Sequence, residues 1–370
     1  MTFSSDDKRF MARALELAEQ GKYSAKPNPC VGCVIVQDNQ IIGEGWHEKA
    51  GEPHAEVHAL KQAGDAAKGS TVYVTLEPCS HQGKTPPCAD ALINANIARV
   101  VIAMQDPNPL VSGQGIEKLR VAGINVSVGL MEEEAESLNA AFIHKMKTGQ
   151  PFIMSKVAMS LDGKTAMASG ESQWITGAQA REDVHRLRAQ SDIVITGVGT
   201  VLTDNPQLTA RDGLGGSAVK QPHVVVLDSK LKTPVDAALF NSGAEVTLLT
   251  CSTDAEAIQA LRETGCNVEV VSEDANGQVD LQAVHVWLCE QPVNRVMVEA
   301  GALLNGACLQ AGMVDGLIIY MAPSALGADA RGAFAMPTIS QLSDRIQLNY
   351  SSMDKLGDDI KLTYSVKKEA

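Results

Sequence analysis

One histidine, one carboxylate and two cysteines stand in the order His54-Ala55-Glu56, Pro78-Cys79 and Cys88. A zinc site that deaminates a base needs three protein ligands, a coordination place left for water, and a nearby carboxylate that is not a ligand. His54 and Glu56 lie two residues apart at the start of an expected helix, so both can face one site while addressing different atoms. Cys79 follows an expected strand, and Cys88 opens a helix, whose first N–H groups favour a thiolate. Zinc lowers the pKa of bound water toward ~7, and Glu56 would take that proton and pass it to a ring nitrogen as ammonia leaves. The generic signature of this chemistry is Cys-x-x-Cys. Here eight residues separate the cysteines, so the loop between them must swing out and return.

Blander readings exist for the same residues. His54 could cap a helix while the cysteines serve as small buried hydrophobes. His58 lies one turn beyond His54, but the order His-Ala-Glu-Val-His is not the His-Glu-x-x-His of metalloproteases. Cys30-Val-Gly-Cys33 offers a Cys-x-x-Cys pair, yet its second half runs into a buried strand and no partner pair follows.

The second half carries glycine turns. A strand at residues 295–298 runs into Glu299-Ala-Gly301-Ala-Leu-Leu-Asn-Gly306, and Thr196-Gly-Val-Gly-Thr200 follows another strand. Each places a helix start, with free N–H groups, where a phosphate could sit. Neither is Gly-x-Gly-x-x-Gly, so the usual dinucleotide fingerprint is absent. Such turns also serve simply to let a strand meet a helix closely.

The elements that must position these residues alternate. The spacing predicts a helix at 6–19, strands at 31–37 and 40–45 joined by Asp38-Asn39, and a helix at 54–63. A strand at 71–76, a helix at 88–96, a strand at 99–104 and helices at 115–122 and 132–145 follow. Residues 144–151 are polar and end in Gly and Pro, a linker. Beyond it strands are expected at 152–159, 192–196, 223–227, 246–249, 295–298 and 317–321. Helices fit between them at 178–188, 255–263, 281–289 and 301–311, with a surface loop at 213–222. Two α/β domains are expected, at 1–146 and 151–370.

The chain has 370 residues and a net charge of −13, and neither half is basic. Bulk nucleic-acid binding is therefore disfavoured, although a local arginine pair could still hold one phosphate. No basic-then-apolar start and no apolar run of ~18 residues is present, so the cytoplasm and no membrane are expected. Eight cysteines without an export signal suggest thiols or metal ligands rather than disulfides.

Together, Pro27-Asn28-Pro29, the run 31–36, Gly43-x-Gly45-x-His47, Gly51, His54-Ala-Glu56 and Pro78-Cys79-Ser-His-x-Gly-Lys-Thr-Pro-Pro-Cys88 resemble the bifunctional riboflavin-biosynthesis deaminase/reductase family. The likeness continues through Asp106-Pro-Asn-Pro109, Ser160-Leu-Asp-Gly163, residues 169–175 and Val298-Glu-Ala-Gly301, and so spans nearly the whole chain. The long cysteine loop is normal for that family; Cys30, where a non-thiol is expected, is a departure. The resemblance implies an α/β chain with an N-terminal cytidine-deaminase-like three-layer domain and a C-terminal dihydrofolate-reductase-like domain. It implies one zinc per chain on His54, Cys79 and Cys88, with Glu56 as proton shuttle, and Asn28, His47 and Lys84 as candidate substrate contacts. For NADPH it implies a site made by Ala158, Trp174, Thr200, Asp204, Ser229, Gly301, Ala302, Leu303, Leu304, Asn305, Gly306 and Ala307. Ser172, Arg188, Leu208, Arg211 and Glu299 would contact the substrate, and Lys156 would aid protonation. Arg188 and Arg211 suit a phosphate, since guanidinium offers paired charge-assisted bonds. The expected reactions are deamination of a phosphorylated diaminopyrimidinone ribosylamine and NADPH-dependent reduction of its ribosyl group, by a homo-oligomer, taken as a dimer. The competing reading is a zinc-dependent nucleobase deaminase with a non-catalytic C-terminal binding or scaffold domain.

Overall fold

The structure is a computed structural model and describes residues 3–80, 86–109, 111–211 and 219–367. The chain divides into two compact units, Met1–Gln150 and Pro151–Ala370.

The first unit is built on β1 (Gly32–Gln37), β2 (Gln40–Trp46), β3 (Thr71–Leu76), β4 (Arg99–Met104) and β5 (Asn125–Val128), in the order β2-β1-β3-β4-β5. The β1 pairings are antiparallel; β3, β4 and β5 run parallel. Asp38 and Asn39 both take positive φ, the twist a two-residue hairpin requires. Its helices are α1 (Ser5–Gln20), α2 (Ala55–Ala63), α3 (Cys88–Asn94), α4 (Gln114–Val121), α5 (Glu132–Leu138) and α6 (Ala140–Thr148).

Alternate strand residues face opposite ways, and the core records it. Cys33, Ile35, Val72, Val74, Val100 and Ile102 pack on α2, α3 and α4. Val34, Val36, Tyr73, Val101 and Ala103 pack on α1, α5 and α6. Three layers result, and the central strands β1, β3 and β4 are covered on both sides.

One helix expected at 132–145 is two. Asn139 interrupts it: its carboxamide accepts from Cys30 N at 2.8 Å and donates to Cys30 O at 2.9 Å. Its φ of −109° starts a new axis at α6. That exchange with a distant backbone outweighs the continuous helical pattern.

The second unit contains β6 (Phe152–Ser160), β7 (Lys164–Ala166), α7 (Ala178–Gln190), β8 (Ile193–Gly197), α8 (Val198–Asp204), β9 (His223–Leu227), β10 (Val246–Thr250), α9 (Ala255–Arg262), β11 (Asn267–Val270), α10 (Leu281–Glu290), β12 (Arg295–Val298), α11 (Ala302–Gln310), β13 (Gly316–Ala322), β14 (Arg331–Gly332), β15 (Leu348–Leu356) and β16 (Asp359–Val366). Nine strands form one sheet, ordered β11-β10-β9-β8-β12-β6-β13-β16-β15. It is parallel from β11 to β13 and closes with the antiparallel β15–β16 hairpin. One face packs on α7, α8 and α9, the other on α10 and α11. This is the dihydrofolate-reductase-like arrangement that the resemblance implies. The chain runs outward from β6 to β11, then returns to insert β12 between β8 and β6. Ligand crevices of open parallel sheets form at such reversals, outside the carboxyl ends of the strands.

Among the described residues no helix is long and apolar enough to cross a membrane.

Candidate functional site

His54 immediately precedes α2 and serves as its N-cap residue, with extended backbone (φ −77°, ψ 166°). This places its ring at the helix mouth, and Glu56 falls in the first turn behind it. Cys79 lies past the end of β3 and Cys88 begins α3. The Cys88 Sγ is 3.3 Å and the Cys79 Sγ 3.6 Å from His54 Nδ1. A tetrahedral zinc with usual bond lengths sets an N–S edge of about 3.6 Å. All three donor atoms lie within 4.8 Å of one another, and among the described residues no other group of three such donors does. Neither His58 nor the Cys30/Cys33 pair joins them.

The electrostatics suit a cation. The Cys88 thiol, the His54 ring and the Cys88 backbone N–H at 3.3 Å favour the Cys79 thiolate and outweigh burial, bringing its pKa down to about 4. Cys88 keeps the shared proton, its pKa raised by the bond to Cys79 and by burial. A metal held by these residues would stand in place of that proton, with both sulfurs as thiolates. Glu56 is 3% exposed, and burial raises its pKa, partly offset by His54. A carboxyl so placed is a stronger base than a solvated one, which suits a group that takes a proton and passes it on.

His47, itself 3% exposed, stands edge-on to His54 with ring centroids 5.3 Å apart. Its Nε2 lies 3.0 Å from Asn28 Nδ2 and its Nδ1 3.2 Å from Pro53 O. A neutral ring protonated at Nδ1 satisfies both, and burial lowers its pKa accordingly. Both ring nitrogens are thus engaged: His47 orients the Asn28 carboxamide and leaves Asn28 Oδ1 for other partners. Lys84 lies outside the described residues, as does most of the loop expected at 213–222.

In the second unit a cavity of about 1180 Å³ opens at the carboxyl ends of β6, β8 and β12. Ala158, Trp174, Thr200, Asp204, Gly301, Ala302, Leu303 and Leu304 line it, as do Ser172, Arg188, Leu208, Arg211, Glu299 and Lys156. Both α8 and α11 start there on glycine N-caps, Gly197 and Gly301, with no side chain capping the first turn. Such ends present unpaired N–H groups, which fit the phosphates of a dinucleotide.

Four residues assigned by resemblance stand outside the lining. Ser229 Oγ accepts from Val279 N at 2.9 Å. Asn305, 2% exposed, accepts from Ser155 Oγ and donates to Ala300 O, bracing the turn beneath the cavity. Gly306 packs so tightly on residue 335 that a Cβ there would stand 2.5 Å from Ala335 O. Ala307 follows on the same helix.

Glu299 is the electrostatic centre of this cavity. Arg188 meets it with two parallel bonds of 2.8 and 2.9 Å, and Lys156 Nζ adds a third at 2.9 Å. Burial pushes the Glu299 carboxyl upward, but Arg188 and Lys156 prevail and hold it well below the usual carboxylate range. Arg188 Nη1 also donates to Thr209 O at 3.1 Å. A two-pronged Arg188 grip on a phosphate is therefore already spent on Glu299. Arg211, exposed at the rim, has no hydrogen-bond or ion-pair partner among the described residues.

The lining also includes His185 and Arg181, which no sequence motif singles out. His185, one turn before Arg188 on α7, holds Thr209 O through Nδ1 at 3.0 Å, and burial and Arg188 lower its pKa. Arg181 lays its guanidinium 4.6 Å from the centroid of the 70% exposed Trp174 ring. The signal was the spacing 181, 185, 188 on one helix face.

Residues 4–104 match the family model described as the cytidine and deoxycytidylate deaminase zinc-binding region, and residues 151–362 match the RibD C-terminal domain. The riboflavin biosynthesis protein RibD of Escherichia coli is 49% identical over 366 residues, covering 96% of this chain and 98% of that one. The solved structure of Acinetobacter baumannii RibD superposes with a TM-score of 0.90 at 44% identity, covering 98% of this chain and 99% of that one. A Thermotoga maritima diaminohydroxyphosphoribosylaminopyrimidine deaminase/5-amino-6-(5-phosphoribosylamino)uracil reductase is also similar, with a TM-score of 0.86 at 35% identity over 98% of this chain and 99% of that one.

Proposed function

Since the chain belongs to the RibD family of riboflavin-biosynthesis enzymes, a zinc deaminase joined to an NADPH-dependent reductase, we propose that its two sites act in sequence on one phosphorylated pyrimidine. The first removes the 2-amino group of 2,5-diamino-6-ribosylamino-4(3H)-pyrimidinone 5′-phosphate. The second reduces the ribosyl group of the product to ribityl. The observation that carries this reading is the convergence of His54 Nδ1 with two cysteine sulfurs beside a buried Glu56.

In the first site His54, Cys79 and Cys88 hold the zinc. Zinc there supplies the Lewis acidity that makes water a nucleophile at neutral pH. Glu56 takes the water's proton on its carboxylate, delivers it to the ring nitrogen and assists the departing ammonia. Burial keeps bulk water from competing for that proton and keeps the carboxyl basic enough to accept it. Asn28, fixed by His47, offers its carbonyl oxygen to a donor on the pyrimidine.

In the second site NADPH supplies the reducing equivalents. The open first turns of α8 and α11 receive its phosphates, and Trp174 covers one side of the cavity. Glu299, held ionised by Arg188 and Lys156, accepts from ribosyl hydroxyls. Lys156, bonded to Glu299, donates the proton that balances the hydride: as C1′ receives hydride the C1′–O4′ bond opens, and the proton goes to O4′, which becomes a hydroxyl. Arg211, with its charge uncommitted, meets the substrate phosphate at the rim. The likeness of residues 151–362 to the RibD C-terminal domain favours this over a non-catalytic scaffold.

Incubating the zinc-loaded protein with the diaminopyrimidinone substrate and NADPH tests the reading. Ammonia release followed by NADPH oxidation is expected; absence of ammonia release would remove the first half, and absence of NADPH oxidation with supplied deaminated substrate the second.

A further inference from the structure

The ligand Cys79 follows directly on Glu77-Pro78, and Glu77 is only 5% exposed. Its carboxylate accepts four backbone N–H bonds. Oε2 takes Asp106 N at 3.1 Å and Gly113 N at 2.9 Å; Oε1 takes Gly115 N at 2.9 Å and Ile116 N at 3.2 Å. Its own N–H donates to Met104 O at 3.0 Å. One side chain therefore ties together the exit of β3, the exit of β4 and the first turn of α4.

That first turn needs an outside acceptor. The opening N–H groups of a helix have no partner within it, and the N-cap of α4 is Gly113, which has no side chain to offer. Glu77 takes this part from more than thirty residues away. The helix is also pressed onto the ligand segment: a Cβ on Gly115 would stand 2.0 Å from Pro78 O. The peptide just before Cys79 is thus gripped on two sides, by its neighbour's carboxylate and by the backbone of α4.

We propose that Glu77 is a positioning residue for the ligand Cys79, fixing the segment that carries this thiol before a metal arrives. The proposal rests on the reading of His54, Cys79 and Cys88 as the metal's ligands. A carboxylate is required because four donors converge on two oxygens. A carboxamide has one acceptor oxygen, and its NH₂ would face two N–H donors with nothing to accept them. Gln at this position is therefore no substitute, although it has the same shape.

Cobalt(II) bound to the full chain in place of zinc provides the readout, since its d–d and thiolate charge-transfer bands report coordination geometry. Glu77→Gln and Glu77→Ala are both expected to bind cobalt and zinc at least about tenfold more weakly than wild type, with shifted and weakened d–d bands. Gln should not rescue Ala. Wild-type affinity and bands in either folded variant overturn the proposal. Where the variants do not fold, amide hydrogen exchange on the metal-free wild-type protein decides. Gly113, Gly115 and Ile116 should be equally protected with and without metal; free exchange until metal is added overturns the proposal. Failure of the underlying reading shows elsewhere: a wild-type chain that takes up no cobalt, or Cys79→Ser with unchanged bands, overturns the ligand assignment and the role of Glu77 with it.

Discussion

A carboxylate's work depends on what surrounds it, and Glu56 and Glu299 have opposite surroundings. Glu56 is buried without a bonded cation and its pKa rises; Glu299 is gripped by two cations and its pKa falls. Glu56→Gln should retain zinc and lose about 10²–10⁴-fold in deamination, measured by ammonia release alongside metal analysis. Near-normal turnover would end its role as proton shuttle. Glu299→Gln leaves Arg188 and Lys156 facing each other without their partner, side chains only 13% exposed. Removing one member of a buried pair costs about 3–5 kcal/mol, so the second unit should unfold at lower denaturant. The sign of the pH effect follows from the depressed pKa. The stabilisation is complete above the unfolded value of about 4.3 and fades as pH falls below it. The gap between wild type and variant should therefore narrow below about pH 4; a constant gap from pH 7 to pH 3 would contradict the ion-pair account. The convergence of His54, Cys79 and Cys88 beside a buried Glu56 was legible in sequence because zinc chemistry restricts both type and spacing. The commitment of Arg188 to Glu299 was not, because residues 188 and 299 meet only through the pairing of β12 with β8 and the packing of α7.

At the scale of elements, the first site is aimed by the seating of α2 on β2. A Cβ on Gly45 would stand 2.5 Å from Ala55 O and 2.6 Å from His58 Cβ, so any larger residue must push the helix off the strand. Gly45→Ala should cost about 1–3 kcal/mol and move the helix mouth that carries His54 and Glu56. Deamination should fall in this variant while NADPH binding by the second unit is unchanged, which fluorescence titration can check. Equal stability and deamination to wild type would show that α2 is not held by that contact. The buried strands of both sheets announced themselves as short β-branched runs, and β9 and β12 begin and end where the pattern places them. The strands that went unread have few buried residues. β15 alternates polar with exposed apolar residues such as Tyr350 and Met353, and β11 buries only Val268. Without a buried face, period-two patterning leaves little trace. The break at Asn139 was hidden for a different reason, since its partner is the backbone of Cys30, 109 positions away.

For the whole molecule, the donor cluster lies within residues 1–150 and the large cavity within residues 151–370. A strong chelator should therefore abolish ammonia release and leave reduction of supplied 5-amino-6-(5-phosphoribosylamino)uracil intact. Loss of both activities together would contradict two chemically independent sites. The acidic balance of the chain made a nucleic-acid substrate a poor fit from the outset, and its two rounds of strand–helix alternation made two α/β units readable. The carboxyl-end cavity needed the strand order, because only the insertion of β12 between β8 and β6 brings Glu299 beside Lys156. The proposed deamination depends on the metal centre of the first unit, and X-ray absorption at the zinc edge of the full, active chain measures that centre directly. Two sulfur neighbours at about 2.3 Å and two nitrogen or oxygen neighbours at about 2.0–2.1 Å are predicted. A zinc shell with no sulfur, or with four, would contradict it.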